Sequence, residues 1–337
     1  VPSNGDSQGD LVKGMGPRYS TTILNEPGKD GVQRQRTISL RDSKSNQIVA
    51  IGFEDNIDLD YCDAIFYVHI AEKDAIDEGV IPELPTDPEG PTDEDNYTTY
   101  SGILTFEDLW PEQGDYDMND VMIRYKSKVY KSILTNRVYK IVDEFTPFHR
   151  GGYLINGFGY QLHNIANSDI SDVSIEGPSY ASKSQYMPGK TETGQSHPTI
   201  LLFDNMRIFD GKEEADKKYT VTIQVNDVSS KNVLPPYNPF IFVESDKTRG
   251  REVHLVKYPP TDKANPSLLG TGKDVSRPDE GLYYVSIDLM PFALNMPISE
   301  FPIPEEGVRI DESYPKFATW VKSNGAQAKD WYKYPKK

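Results

Sequence analysis

Apolar and polar residues alternate along much of this chain with a period of two, as at Tyr219, Val221, Ile223 and Val225. That is the pattern of a half-buried strand in an antiparallel sandwich. Short apolar runs at 21–24, 36–40, 47–53 and 64–70 are separated by clusters of Gly, Asp and Asn, and they predict a small β unit near the N-terminus. The same spacing continues at 121–130, 152–165, 219–225, 238–243, 252–256 and 281–289. Helical periodicity is confined to 315–323, where Phe317, Trp320 and Val321 recur at three to four residues. The pattern predicts an all-β chain of two β-sandwich, jelly-roll-like units, the second larger, with few short helices.

The segment from Pro82 to Asn96, PELPTDPEGPTDEDN, combines four prolines with a run of carboxylates and almost no bulky apolar residue. Such a composition cannot bury enough apolar surface to order itself, and it reads as a solvated linker or exposed loop. It separates a small N-terminal β domain at 1–81 from a linker at 82–97 and a larger β-sandwich domain at 98–337.

Composition sharpens this picture. The 21 Tyr, 25 Pro and 25 Gly among 337 residues favour strands and turns over helices. Acidic residues outnumber basic ones 52 to 36, a net charge of −16, which opposes binding to nucleic acid or anionic lipid and favours cations as partners. The single cysteine, Cys62, has no partner for an intramolecular disulfide. No apolar run reaches the ~18 residues of a transmembrane helix. The opening VPSNGDSQGD fits a processed end, with a secretory signal or lipid anchor expected upstream of residue 1.

The most informative feature occurs twice. Phe53-Glu54-Asp55 is followed by Asp58-Leu59-Asp60-Tyr61-Cys62-Asp63, and Phe106-Glu107-Asp108 by Asp115-Tyr116-Asp117-Met118-Asn119-Asp120. Each copy then enters an apolar run, so both read as strand, acidic loop, strand. So many carboxylates in one hairpin repel one another unless a cation or raised pKa values offset the cost. Calcium suits them, because it takes six to eight oxygens from carboxylates, amides and backbone carbonyls in flexible geometry, whereas magnesium demands a stricter octahedron. No Cys or His cluster suggests zinc.

The second loop opens like an EF-hand, but Asp120 stands where the Gly is required and Lys126 where the bidentate Glu belongs, which rejects that motif. The ligand set is expected to close through space, with Glu107 and Asp108 from the opposite arm. The competing reading is that Asp and Asn simply satisfy turn backbone. Phe53 and Phe106 are expected as core anchors.

FEDLWPEQGDYDMNDVMIRY (106–125), PYNPFIFVESDKTRGREVHLVKYPPTDKAN (236–265), GTGKD (270–274), LMPFALNMP (289–297) and the closing YPKFATWVKSNG and DWY together resemble the LruC-domain family of bacterial exported proteins, over roughly residues 100–337. Residues 20–80, with GFEDNIDLDYCDAIFYV, resemble the related FED…DxDYND domains of bacterial surface and extracellular proteins. The resemblance implies an exported, often lipid-anchored protein of the outer membrane, cell surface or periplasm of Gram-negative bacteria, with a β-sandwich body, a calcium site and no established activity. It places Glu107, Asp108, Asp115, Asp117, Asn119 and Asp120 at the family's acidic positions, and Arg249-Gly250-Arg251-Glu252 with His254 at its RG-x-E-x-H segment. Cys62 departs from the Asn of that pattern.

Glu252 and Asp274 are further candidate ligands, although nothing local closes a shell around them. The Arg249 to His254 segment reads first as an internal salt bridge. No nucleophile elbow, P-loop or dinucleotide fingerprint is present, and Gly157 and Gly159 read as a bulge or tight sheet contact. Trp110, Trp320 and Trp331 would stack on sugars if exposed, but read first as core. The expectation is therefore a calcium-binding structural or interaction protein of the cell exterior, with no catalytic constellation. A calcium-dependent carbohydrate-binding module is the alternative, and a glycan-acting enzyme the third reading.

Overall fold

The computed structural model describes residues 34, 36–41, 48–54, 61, 64–67, 94, 96–132, 135–178, 185–186 and 190–336. Asp55, Asp58, Asp60, Cys62, Asp63, the apolar run at 21–24 and most of the acidic Pro-rich segment lie outside them. The chain divides into two compact units, Val1–Gly90 and Pro91–Lys337.

In the first unit the described residues form one antiparallel sheet of three strands, β1 (Thr37–Arg41), β2 (Ile48–Phe53) and β3 (Ala64–Tyr67), in that order. The second unit is a two-sheet sandwich. Its larger sheet contains β4 (Tyr97–Phe106), β5 (Val121–Lys131), β6 (Val138–His149), β8 (Ile170–Glu176), β10 (Tyr219–Val228) and β13 (Ala293–Met296), in the order β13-β4-β5-β6-β10-β8. The smaller holds β7 (Asn156–Gln161), β9 (Thr199–Phe203), β11 (Asn238–Val243) and β12 (Glu252–His254), in the order β12-β11-β7-β9. Every ladder is antiparallel.

Rings from the two sheets meet in the core. Phe145 on β6 packs against Phe158 and Tyr160 on β7 at centroid distances of 5.3 and 4.9 Å, and Phe106 on β4 against Phe158 at 6.3 Å. Period-two alternation explains β10, where Tyr219, Val221, Ile223 and Val225 are buried and Thr220, Thr222 and Gln224 are half-buried. By contrast β7 and β11 are buried at every position, because both faces are covered. Ile241 and Val243 face the main core, whereas Phe240 and Phe242 form a second cluster with Leu201.

Helix is confined, among the described residues, to two short α segments, α1 (Ile310–Ser313) and α2 (Phe317–Lys322), besides 3-10 turns. Phe317 of α2 stacks edge-on with Trp331 at 4.7 Å. The strand expected at 281–289 is not continuous. Left-handed backbone at Tyr284 (φ 54°) and Leu289 (φ 65°) interrupts it, leaving isolated bridges at Leu282, Val285 and Ser286.

Candidate functional site

The acidic hairpin joins β4 to β5, and Phe106 pairs with Val121 across its base. Tyr116 and Met118 both adopt left-handed backbone (φ 57° and 60°), a costly conformation for residues with side chains that persists only where surroundings hold it. Burial of both side chains supplies that hold: Tyr116 packs 5.9 Å from Phe292, and Met118 is fully enclosed. Loop residues 116–120 are thereby all buried, whereas Asp115 is exposed.

Glu107 lies beneath this loop, its Oε2 accepting from the Tyr116 N–H (3.1 Å) and its Oε1 from the Met118 N–H (2.7 Å). Asp117 accepts from the backbone of Asn119 (3.1 Å) and Gly307 (2.9 Å), and Asp120 from that of Asp108 (2.8 Å). One oxygen each from Glu107, Asp115 and Asp117 lie within 4.8 Å of one another, close enough to share one cation. Backbone donors occupy one lone pair of the Glu107 and Asp117 oxygens, and a carboxylate oxygen has a second.

Among the described residues, no Lys or Arg forms an ion pair with Glu107, Asp115, Asp117 or Asp120. Burial, joined by repulsion from neighbouring carboxylates, pushes the Glu107 pKa well above the usual range, that of Asp117 to about 6 and that of Asp120 to about 8. Asp108 is raised by burial too, but the Asn156 amide (2.8 Å) and the Arg251 charge oppose the shift. Oxygens without a hydrogen-bond partner remain at Asn119 Oδ1 and Asn156 Oδ1, both buried.

The first copy repeats the geometry as far as it is described. Phe53 pairs with Ala64 as Phe106 pairs with Val121. Buried Glu54 accepts from the Tyr61 N–H at 3.2 Å, and Tyr61 has φ 55°, matching Glu107 and Met118. The Glu54 and Glu107 N–H groups each donate at 2.9 Å to the residue preceding the flanking strand, Arg36 before β1 and Phe292 before β13. The order β1-β2-β3 thus reproduces β13-β4-β5.

Glu252 and Asp274 are committed elsewhere. Fully buried Glu252 pairs with Arg249, accepts from Thr261 Oγ1 (2.6 Å) and N–H (2.9 Å), and meets His254 Nε2 at 2.7 Å. Although burial opposes it, the His254 hydrogen bond and the Arg249 charge hold its pKa down at about 2. Arg249 also grips Glu192 at 2.7 and 2.8 Å and lies over the Phe240 and Phe242 rings. Asp274 accepts from the Gly270 N–H (2.8 Å) and Ser276 Oγ (2.9 Å), shaping its own turn.

The Arg249–His254 segment, read first as an internal salt bridge, also reaches the hairpin through Arg251, and the glycine pair 151–152 with Glu306 and Gly307 carried no functional reading in the sequence. Arg251, two positions from Arg249, clamps the hairpin backbone at Trp110 O (2.8 Å) and Asp108 O (3.2 Å). Gly151 and Gly152 press against Asn119 and against Asp108 and Asp120, where any Cβ would collide with a side-chain oxygen. Adjacent glycines are a signal for such close approach. Glu306 and Gly307, nearly 200 residues downstream, reach the loop without any local signal. Trp110 and Trp331 are buried at 2%, and half-buried Trp320 packs at a tilt against Phe317 and Trp331, so all three serve packing.

Residues 136–332 match the model of a domain of unknown function, DUF4842. The chain belongs to the DUF4842 family. No curated protein matches it. The crystal structure of a "putative lipoprotein" from Bacteroides ovatus matches with a TM-score of 0.56, covering 75% of this chain and 79% of that one at 19% identity, a likeness of fold. The LruC-domain resemblance gains no match of its own. The acidic hairpin precedes the matched DUF4842 residues, yet its seat, from Gly151, Asn156, Arg251 and Gly307, comes from within them.

Proposed function

We propose that this DUF4842 chain is an exported cell-surface protein with a structural or interaction role, and that Ca2+ bound at Glu107, Asp115 and Asp117 rigidifies its acidic hairpin. One observation carries the reading: three carboxylates converge within 4.8 Å, two of them buried, with no ion-paired Lys or Arg among the described residues. A divalent cation would offset that repulsion, and calcium, which takes six to eight oxygens, would draw the rest of its shell from Asp108, Asn119 and Asp120. The reading extends to the first copy through Glu54, Asp55, Asp58, Asp60 and Asp63. Export is supported by likeness in fold to a protein described as a lipoprotein; no helix of the described residues is long and apolar enough to cross a membrane.

Calorimetry tests the proposal. Millimolar Ca2+ should raise the melting temperature, by an amount equivalent to about 2.7 kcal/mol when the ion is at a hundredfold its Kd. Asp115→Asn, at the exposed member of the trio, should lose most of that gain while melting normally in chelator. Identical melting with Ca2+ and with chelator, together with no heat on titration, overturns the reading.

A further inference from the structure

Beside the hairpin lies an open cleft of about 820 Å³, whose walls include Asp108, Asp115, Asn119, Asp120, Tyr153 and Glu306. That size is in the range of small-ligand sites. Asp115 belongs both to the carboxylate trio and to the cleft, and it is the exposed member of the trio, so an ion held there keeps an outward face open to the cleft. Asn119, only 1% exposed, has an Oδ1 with no hydrogen-bond partner on the same wall.

The rim is equally informative. Tyr153 is 85% exposed, with the Arg207 guanidinium 5.2 Å from its ring centroid, and Leu109, which also lines the cleft, is 42% exposed. An aromatic ring left in water at a cleft mouth is a platform for a flat apolar face. Anionic ligands fit poorly. Arg150 in this cleft is already bound to both Asp210 oxygens (3.2 and 2.7 Å) and to the Gly152 carbonyl (2.8 Å), Arg207 at the rim donates to the Tyr153 carbonyl, and Asp108, Asp115, Asp120 and Glu306 line the walls.

We infer that this cleft binds a neutral glycan, with Ca2+ bridging from Asp115 to a pair of vicinal sugar hydroxyls while Tyr153 stacks on the sugar ring. The inference rests on the calcium reading above. Neutral hydroxyls supply the oxygens that calcium still needs without adding charge to an acidic wall.

The test presents the full chain to immobilised mannan, galactan, xylan and glucan, with pectate and heparin as acidic probes, in Ca2+ or in chelator. At least one neutral polysaccharide should be retained only with Ca2+. Tyr153→Ala should weaken that binding about 10-fold, and Tyr153→Phe should preserve it. Calcium titration of Tyr153→Ala should match the unaltered chain, separating the ring from the ion. Calcium heat without retention of any neutral glycan, retention of the acidic probes alone, or retention indifferent to chelator or to Tyr153→Ala overturns this inference and leaves the calcium reading standing. Absence of calcium heat together with identical melting in Ca2+ and in chelator overturns both.

Discussion

Asp143 sits fully buried on the inward face of β6, ringed by the hydroxyls of Ser127 (2.5 Å), Tyr160 (3.0 Å) and Tyr237 (3.4 Å). Burial raises its pKa to about 7 against the pull of those donors, and it raises both tyrosines well above their usual range, so they stay protonated. A carboxyl with a raised folded-state pKa stabilises the fold fully below its unfolded value, near 4, and loses that contribution as pH climbs through about 7. The loss amounts to about 4 kcal/mol at most. Urea unfolding at acidic and mildly alkaline pH should show wild-type stability falling across this window, while Asp143→Asn, which cannot ionise, makes the fall shallower and leaves the share due to Glu107, Asp117 and Asp120. An unchanged slope in the variant would assign the pH dependence to other groups.

At the scale of elements, β7 and β11 show how a sheet face is filled. Phe240 pairs with Gly159 and Phe242 with Gly157, and the phenylalanine rings occupy space that the glycines leave open. A Cβ at Gly157 would drive into the Phe242 ring. Gly157→Ala should therefore cost about 1–3 kcal/mol through overpacking, read as a lower urea midpoint with an unchanged m-value. Stability equal to wild type would mean that the ring has room to move. The acidic hairpin obeys similar logic, because the glycine pair 151–152 lets one backbone approach carboxylates on another.

For the whole molecule, calcium and protons should compete for the same oxygens. Without the ion, Glu107, Asp117 and Asp120 hold protons to higher pH than ordinary carboxylates, and the ion requires their ionised forms. Apparent calcium affinity should fall as pH drops from about 8 toward 5, and binding near neutrality should release protons. Titration calorimetry in buffers of differing ionisation heat measures that release. Binding that is tight, proton-neutral and indifferent to pH would place the ion elsewhere.

Local pattern was enough for the strand grammar, the all-β class, the short helix at 317–322 and the doubled acidic hairpin, because period-two burial and turn chemistry are written in neighbouring residues. The strands β6, β8, β9 and β13 were not separated by pattern alone, and the run at 281–289 looked like a strand until left-handed backbone broke it. Tertiary structure decided the rest. Seating the hairpin takes Gly151, Asn156, Arg251 and Gly307, and completing its ladder takes β13, all distant in sequence. Glu252 was a candidate ligand by residue type, and only the fold placed Arg249 and Thr261 on its oxygens. Sequence spacing can propose that carboxylates converge, but which of them share a cavity, and which already have partners, depends on long-range packing that no local window contains.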